Sequence, residues 1–280
     1  MMKITNHYNL PRPIFDKIAG GVYDPEETRI GVTTLIDAPL KRHLKIKHWD
    51  TLEEDASERL WALLGTAVHY ILEGHDNALT EERLEYQHPC GLLLVGYQDI
   101  YQNKTVRDYK CTSVWSYIYG KDSWNTQINT NAELLERYGF EVKAGAIDLI
   151  LRDWQKSKAG QDNYPPIPFA TVNIPIWTPE ERNRYIDGRM ELHTCQDVPP
   201  CTPEEMWESP TTYAVKGKSR KTAFRVLDTF ELAEQWISEN GKGDFIEKRD
   251  GERRCCKEYC SVRSVCPYNI YREMSNEETK

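Results

Sequence analysis

The chain has 280 residues, 39% of them apolar and 29% charged, and a formal net charge of −8. It is long enough for one large domain or two modest ones, and its acidic balance argues against a nucleic-acid partner unless local basic stretches override it. Its longest apolar runs, GLLLV and LIL, fall far short of the roughly 20 residues that cross a bilayer, which excludes a membrane role of that kind.

The opening residues, MMKITNHYNLPRPIFDK, lack the apolar core of a signal peptide, so a cytoplasmic location is expected. In a reducing compartment the eight cysteines read as thiols, metal ligands or cluster ligands rather than disulfides. To about residue 30 the chain reads as an irregular arm. TTLIDAPLKRHLKIKH then predicts a short helix or two, interrupted at Pro39. From Asp55 to His75, apolar residues at Leu60, Leu63, Leu64, Ala67, Val68, Ile71 and Leu72 predict a helix with one buried stripe, stopped near Gly74.

Alternating runs follow at Leu84–His88, Leu92–Tyr101 and Thr105–Cys111, each read as a strand. SWNTQINTNAELLERYG predicts a helix ending at Gly139, and VKAGAIDLILRDW another strand. After the break at NYPPIPF come a helix at Pro179–His193, a strand around Ala223–Asp228, a helix at Glu231–Asn240 and a cysteine-rich end. The expected fold class is α/β, a mixed central sheet flanked by helices with a cysteine-rich C-terminal extension. The expected divisions are an arm with helices at 1–54, a core at 55–164 and a C-terminal region at 165–280.

One stretch carries the chemistry. In VGYQDIYQNKTVRDYKCTS a two-residue turn at Asn103–Lys104 pairs Gln102 with Thr105, Tyr101 with Val106, Ile100 with Arg107 and Asp99 with Asp108. Directly opposed residues have Cβ atoms roughly 4.5–5.5 Å apart, so two carboxylates would meet across the strands. Lys110, two residues beyond Asp108, shares its face. Opposed like charges destabilise a sheet unless something compensates, and a divalent cation is the natural compensator; a solvent-facing hairpin with a lysine salt bridge is the other reading. His69 lies at the edge of the preceding helix's apolar stripe, with Gly65 and Glu73 a turn away on either side.

The ordered set GTAVH (Gly65–His69), GYQD (Gly96–Asp99), DYK (Asp108–Lys110) and QINTN (Gln127–Asn131) resembles the PD-(D/E)XK nuclease superfamily, in its RecB-like exonuclease branch. That branch includes CRISPR-adaptation nucleases and phage exonucleases, and the likeness spans about residues 55–155. It implies a restriction-endonuclease-like core and a metal-dependent DNA exonuclease of recombination, repair or phage DNA processing. DNA is the implied partner, with homo-oligomers or a recombination protein as further ones, in a bacterium or a phage-infected host. A structure-selective endonuclease on the same fold, or a non-catalytic nucleic-acid-binding or assembly subunit, are the alternatives.

On this reading Asp99, Asp108 and the backbone carbonyl of Tyr109 hold Mg²⁺ or Mn²⁺, and His69 adds a nitrogen that favours Mn²⁺. Lys110 orients the attacking water, and Gln127 positions the substrate or the lysine region. Where the branch carries Q-x-x-x-Y, this chain has Asn131.

RCCKEYCSVRSVCPY holds Cys255, Cys256, Cys260 and Cys266, a spacing that fits zinc or an iron–sulfur cluster. Adjacent Cys255 and Cys256 cannot easily both ligate one centre, so the fourth ligand is expected from Cys201, with Cys195 in reserve. Relatives in the branch often carry an iron–sulfur cluster on one upstream cysteine and three C-terminal ones, which Cys256, Cys260 and Cys266 resemble; the resemblance implies a [4Fe-4S] cluster here, with zinc as the alternative. The usual upstream cysteine precedes the G-x-x-x-H helix, whereas here none precedes Cys90. In VKGKSRKTAFR, Lys216, Lys218, Arg220 and Lys221 are the expected DNA-backbone contacts, with a solvated hairpin as the other reading.

Overall fold

Residues 2–72 and 79–271 are described by the computed structural model. Glu73 and Gly74 lie outside the described residues. The chain folds as two units, Met1–Pro199 and Pro200–Lys280.

The first unit begins with β1 (Lys3–Thr5), α1 (Arg12–Gly20), β2 (Arg29–Gly31), α2 (Val32–Leu35), α3 (Pro39–His48) and β3 (Glu53–Asp55). It continues through α4 (Leu60–Leu72), β4 (Leu79–Gln87), β5 (Leu93–Gln102), β6 (Thr105–Thr112), α5 (Val114–Tyr119) and α6 (Asp122–Arg137). β7 (Ala144–Leu151), β8 (Phe169–Ile174) and α7 (Pro179–Thr194) complete it. The expected arm is thus not irregular: β1 pairs in parallel with β3, and β2 enters the central sheet.

That sheet has six strands in the order β2-β5-β6-β7-β8, with β4 on the opposite edge of β5. It is mixed, because β2 runs parallel to β5 and β6 parallel to β7 while β4, β6 and β8 pair antiparallel with their other neighbours. β7 is central, and its apolar run leaves Ile147, Leu149 and Leu151 buried, the pattern of a strand covered on both faces.

α6 lies on this sheet. Its Ile128, Ala132, Leu134 and Leu135 are fully enclosed, each large side chain contributing about 1.5–3 kcal/mol. A Cβ at Gly145 would come within 2.4 Å of Ile128 Cγ2, so the helix needs a glycine on β7 to pack this close. The same helix buries polar side chains, two of which tie it to the segments that follow the sheet. Asn129 bridges the carbonyls of Asn125 and Pro175 to the Trp177 amide, and Glu133 receives Arg182 Nε at 3.0 Å.

α7 starts with a capping box between Thr178 and Glu181 and buries Ile186 and Met190 in the core cluster. β8 and α7 therefore belong to the sheet unit, and the division falls after Pro199 rather than after residue 164, because β8 supplies the edge of the sheet and α7 its cover.

The second unit is a three-stranded antiparallel sheet in the order β10 (Arg225–Leu227), β9 (Thr212–Lys216), β11 (Phe245–Arg249). α8 (Phe230–Asn240), capped by Thr229 and stopped by Gly241 at φ 59°, packs on it. A π-helical turn at Cys255–Tyr259 opens the cysteine-rich end. Among the described residues no helix is long and apolar enough to cross a membrane.

Candidate functional site

β5 is shared along one edge by two strands. β4 pairs along its other side from Leu93 to Tyr101 with a break at Asp99, whereas β2 pairs only with Leu93–Val95 and β6 only with Ile100–Gln102. Between them Gly96, Tyr97, Gln98 and Asp99 have no ladder partner on that edge, and the sheet forks. Clefts form where neighbouring strands diverge, and here one of about 380 Å³ opens, reached by His69 of α4, Asp99 of β5, Asp108 and Lys110 of β6, and Gln127 and Asn131 of α6. A Cβ at Gly96 would lie 2.5 Å from Leu134 Cδ1 and 3.2 Å from Asn131 Oδ1, so glycine is what admits α6 to the fork.

The hairpin forms as its sequence predicts for three pairs, Gln102–Thr105, Tyr101–Val106 and Ile100–Arg107. Asn103 and Lys104 both take the left-handed backbone of a type I′ turn, at φ 51° and 61°. The fourth pair is a correction: Asp99 and Asp108 are not ladder partners. Instead Asp99 Oδ2 accepts the Tyr109 amide N–H at 2.8 Å, so a side chain captures a donor that the next ladder bond would have used.

The charges around the fork are arranged in two groups. His69 Nδ1 faces Asp99 Oδ1 and Glu81 Oε1, each at 3.4 Å, and the ligand atoms of His69, Glu81 and Asp99 lie within 4.8 Å of one another. The hydrogen bond to Asp99, followed by the charges of Asp99 and Asp108 and the bond to Glu81, raises the imidazole to about 9 against the opposing effect of burial. The second group centres on Asp108, which is 3% exposed. Gln127 Nε2 donates to its Oδ1 at 2.6 Å, and Lys110 Nζ lies 2.7 Å from its Oδ2, an ion pair lacking the angles of a directed hydrogen bond. Burial raises the Asp108 carboxyl to about 6, with Asp99 adding to the rise and Lys110 and His69 opposing it.

Of the residues singled out in the sequence, His69, Asp99, Asp108, Lys110 and Gln127 thus line one cleft. Tyr109 presents its amide N–H to Asp99, and its ring packs edge-on against His69 at 6.5 Å. Asn131 is buried with its Oδ1 unpartnered among the described residues.

Glu81 is the residue that sequence reasoning missed. It sits in the run LTEERLE among other glutamates, and only the fold distinguishes it. Thr80 pairs with Ile100 and Glu82 with Gln98, which sets Glu81 beside Asp99. At φ 50° it leaves the strand conformation, a strain of about 1–3 kcal/mol of the kind found at functional sites. The apolar stripe expected to be buried on α4 is a second correction: none of its residues is fully buried, and Trp61, Tyr70 and Ile71 are exposed.

The remaining predicted residues, Cys195 apart, belong to the second unit. Cys256, Cys260, Cys266 and Cys201 are half-buried there and Cys255 is buried. The Cys255 amide donates to Met206 O at 3.1 Å and Ser209 N to Glu252 O at 3.1 Å, so the segment following Cys201 runs beside the cysteine turn. Cys195 belongs to the other unit, at the end of α7. In the basic stretch Lys216 pairs with Glu247 at 2.7 Å and Arg220 stacks over Phe224, while Lys218 and Lys221 are exposed.

No family model and no curated protein matches the chain. Among solved structures, the crystal structure of SSO0001 aligns with a TM-score of 0.49 at 17% identity, covering 92% of this chain and 95% of that one. A phage related exonuclease from Haemophilus somnus 129PT aligns with a TM-score of 0.32 at 16% identity, covering 65% of this chain and 84% of that one. Likenesses this distant leave the function to be argued from the cleft itself.

Proposed function

We propose that the chain is a metal-dependent DNA nuclease with a restriction-endonuclease-like core, hydrolysing phosphodiester bonds from DNA ends or single strands. The observation that carries the reading is one cleft lined by His69, Asp99, Asp108, Lys110 and Gln127, with Glu81 completing a donor set with His69 and Asp99. Two carboxylates and an imidazole at this spacing fit one divalent cation, and the mixed donor set suits Mn²⁺ better than Mg²⁺. When bound, such an ion supplies Lewis acidity at a phosphoryl oxygen and acidifies a water.

The chain's own residues do the rest. His69, Glu81 and Asp99 would hold the ion, with Asp108 and the carbonyl of Tyr109 as the ligands that the resemblance adds. Gln127 fixes Asp108 by one oxygen, leaving the other toward Lys110. Lys110 orients the attacking water and steadies the negative charge that develops on phosphorus. Water adds to phosphorus, one P–O ester bond breaks, and the departing oxygen leaves with a proton.

Cys201, Cys256, Cys260 and Cys266 would hold zinc or a [4Fe-4S] cluster as a staple of the second unit. Supporting this is the run of backbone bonds that brings the Cys201 segment to the cysteine turn. Metal analysis of purified protein tests it, and protein without iron or zinc refutes it. Lys218, Arg220 and Lys221 of the basic stretch are exposed for phosphate contact, whereas Lys216 is paired with Glu247.

The nuclease reading is tested on 5′- and 3′-labelled linear DNA and a closed circle, with Mn²⁺, Mg²⁺ or chelator. Wild type should degrade the linear strands only with metal, and Lys110→Ala and Asp108→Ala should not. Full cleavage by Lys110→Ala would sink the mechanism, and opening of the circle would move the assignment to an endonuclease.

A further inference from the structure

Hydrolysis leaves a set of cationic and aromatic side chains beside the cleft without a role. β6 runs on from Lys110 to Thr112, whose carbonyl accepts the Arg152 amide at 3.0 Å, so Arg152 stands just past the end of β7 next to the end of β6. The Arg152 guanidinium lies over the Trp61 ring at 3.9 Å, and Trp61 is 61% exposed. Lys121 immediately precedes α6, the helix that carries Gln127, and is exposed. Partial burial, then the charges of Lys110 and Arg152, lower its ammonium pKa. Lys110 has Asp108 as counter-ion. Among the described residues neither Lys121 nor Arg152 has an ion-pair partner. Between the end of β6 and Lys121, α5 carries Trp115 and Tyr119, stacked with their planes 14° apart and exposed by 58% and 79%.

Uncompensated cations next to a cleft that cuts nucleic acid can hold its phosphates, and exposed flat rings beside them can stack on a ligand with uncovered flat faces. A duplex hides its base faces in its own stack, whereas an unpaired strand offers one at every nucleotide. We propose that Lys121, Arg152, Trp61 and the Trp115–Tyr119 pair seat an unpaired strand of the nucleic-acid substrate, the cations on its phosphates and the rings on its bases. This names the substrate class of the cleft and rests on the nuclease reading.

The test uses full-length protein carrying Asp108→Ala, so that nothing is cut, with a fluorescein-labelled 15-nucleotide strand and a blunt duplex of the same sequence. Trp115→Ala/Tyr119→Ala should weaken single-strand binding at least tenfold and leave duplex binding within twofold, because each lost base stack is worth roughly that much. Lys121→Gln/Arg152→Gln should lower the slope of log affinity against log salt by about 1.4, near 0.7 per phosphate contact. Trp115→Phe/Tyr119→Phe keeps the ring faces and should bind within about threefold of the parent, which separates lost stacking from lost folding.

Unchanged single-strand affinity in both double variants, or an equal loss on the duplex, overturns the proposal. With the Asp108 restored, cleavage by a protein whose strip variants bind as the parent does would remove the strip and keep the nuclease. Strip-dependent binding of single strands by a protein that cleaves nothing would keep the strip and remove the nuclease.

Discussion

The sharpest test of the cleft is its proton. Without a cation, His69 shares Nδ1 with Asp99 and Glu81 and titrates near 9 instead of 6.5, so at neutral pH the position a metal would take is filled by a hydrogen. A cation ligated by that nitrogen must expel it, and below the raised pKa its apparent affinity should climb about tenfold per pH unit. Titration of Mn²⁺ by calorimetry between pH 6.5 and 8, in two buffers of different ionisation enthalpy, should give that slope and the release of about one proton per ion. His69→Gln should lower affinity and flatten the slope.

The sign for the metal-free fold follows from the same pair of values. The folded pKa is raised, so the ion pair's stabilisation is complete below pH 6.5 and disappears as pH rises through about 9. With the imidazole half-buried, screening leaves about 1–2 kcal/mol, seen as a lower urea midpoint at pH 9.5 than at 6.5. A Mn²⁺ affinity independent of pH over 6.5–8, with no proton released, would show that His69 is not a ligand.

Three further outcomes are expected. Arg182, 1% exposed, is held by Glu133, Glu136 and the Trp177 carbonyl, so Arg182→Met strands buried carboxylate charge and should cost about 3–5 kcal/mol in urea unfolding; a loss under about 1 would refute that network's role. Burial drives His193 down to about 4, its Nε2 bonded to Leu35 O, so the stability it allows is present above pH 6.5 and declines as pH falls to 4. The wild type should lose about 2 kcal/mol over that interval and His193→Gln markedly less, and parallel pH–stability curves would discount the group. Gln127→Ala leaves Asp108 Oδ1 without its donor and should reduce metal-dependent cleavage by about tenfold or more while thermal stability falls by about 1–3 kcal/mol, and unaltered cleavage would free Gln127 of any positioning role.

The hairpin was legible because its alternation and the Asn103–Lys104 turn specify register locally, and three of its pairs form as read. The fourth was not, because it depends on a competition the pattern does not encode: the Asp99 carboxylate takes the Tyr109 amide and the strands part. α4 shows a similar limit. Its period says which residues share a face, and that face lacks full burial. β2 is three residues long and its pairing with β5 is set by distant neighbours, so the fork that opens the cleft could not be read from any one segment. Glu81 was hidden for the same reason, since its distinction is a place across from Asp99 and a backbone angle, not a motif.

The parting of the strands also decides how the site and the fold trade against each other. A ladder pair would have set two carboxylates face to face, whereas the fork gives each its own counter-group: Tyr109 N–H and His69 for Asp99, Gln127 and Lys110 for Asp108. The metal-free sheet unit should therefore fold without a cation. Compensation of Asp108 is incomplete, because burial outweighs Lys110 and raises its carboxyl from 3.8 to about 6. At pH 7, above both values, the folded state carries a charge disfavoured by up to about 3 kcal/mol relative to the chain in water. Asp108→Asn removes that charge and keeps an acceptor for Gln127, so chelator-treated protein should melt no lower, and up to several degrees higher, than wild type while cleavage is abolished. A destabilisation above about 2 kcal/mol would mean that the Asp108–Lys110 ion pair holds the hairpin together, and that the cleft is a structural device rather than a strained one kept for its chemistry.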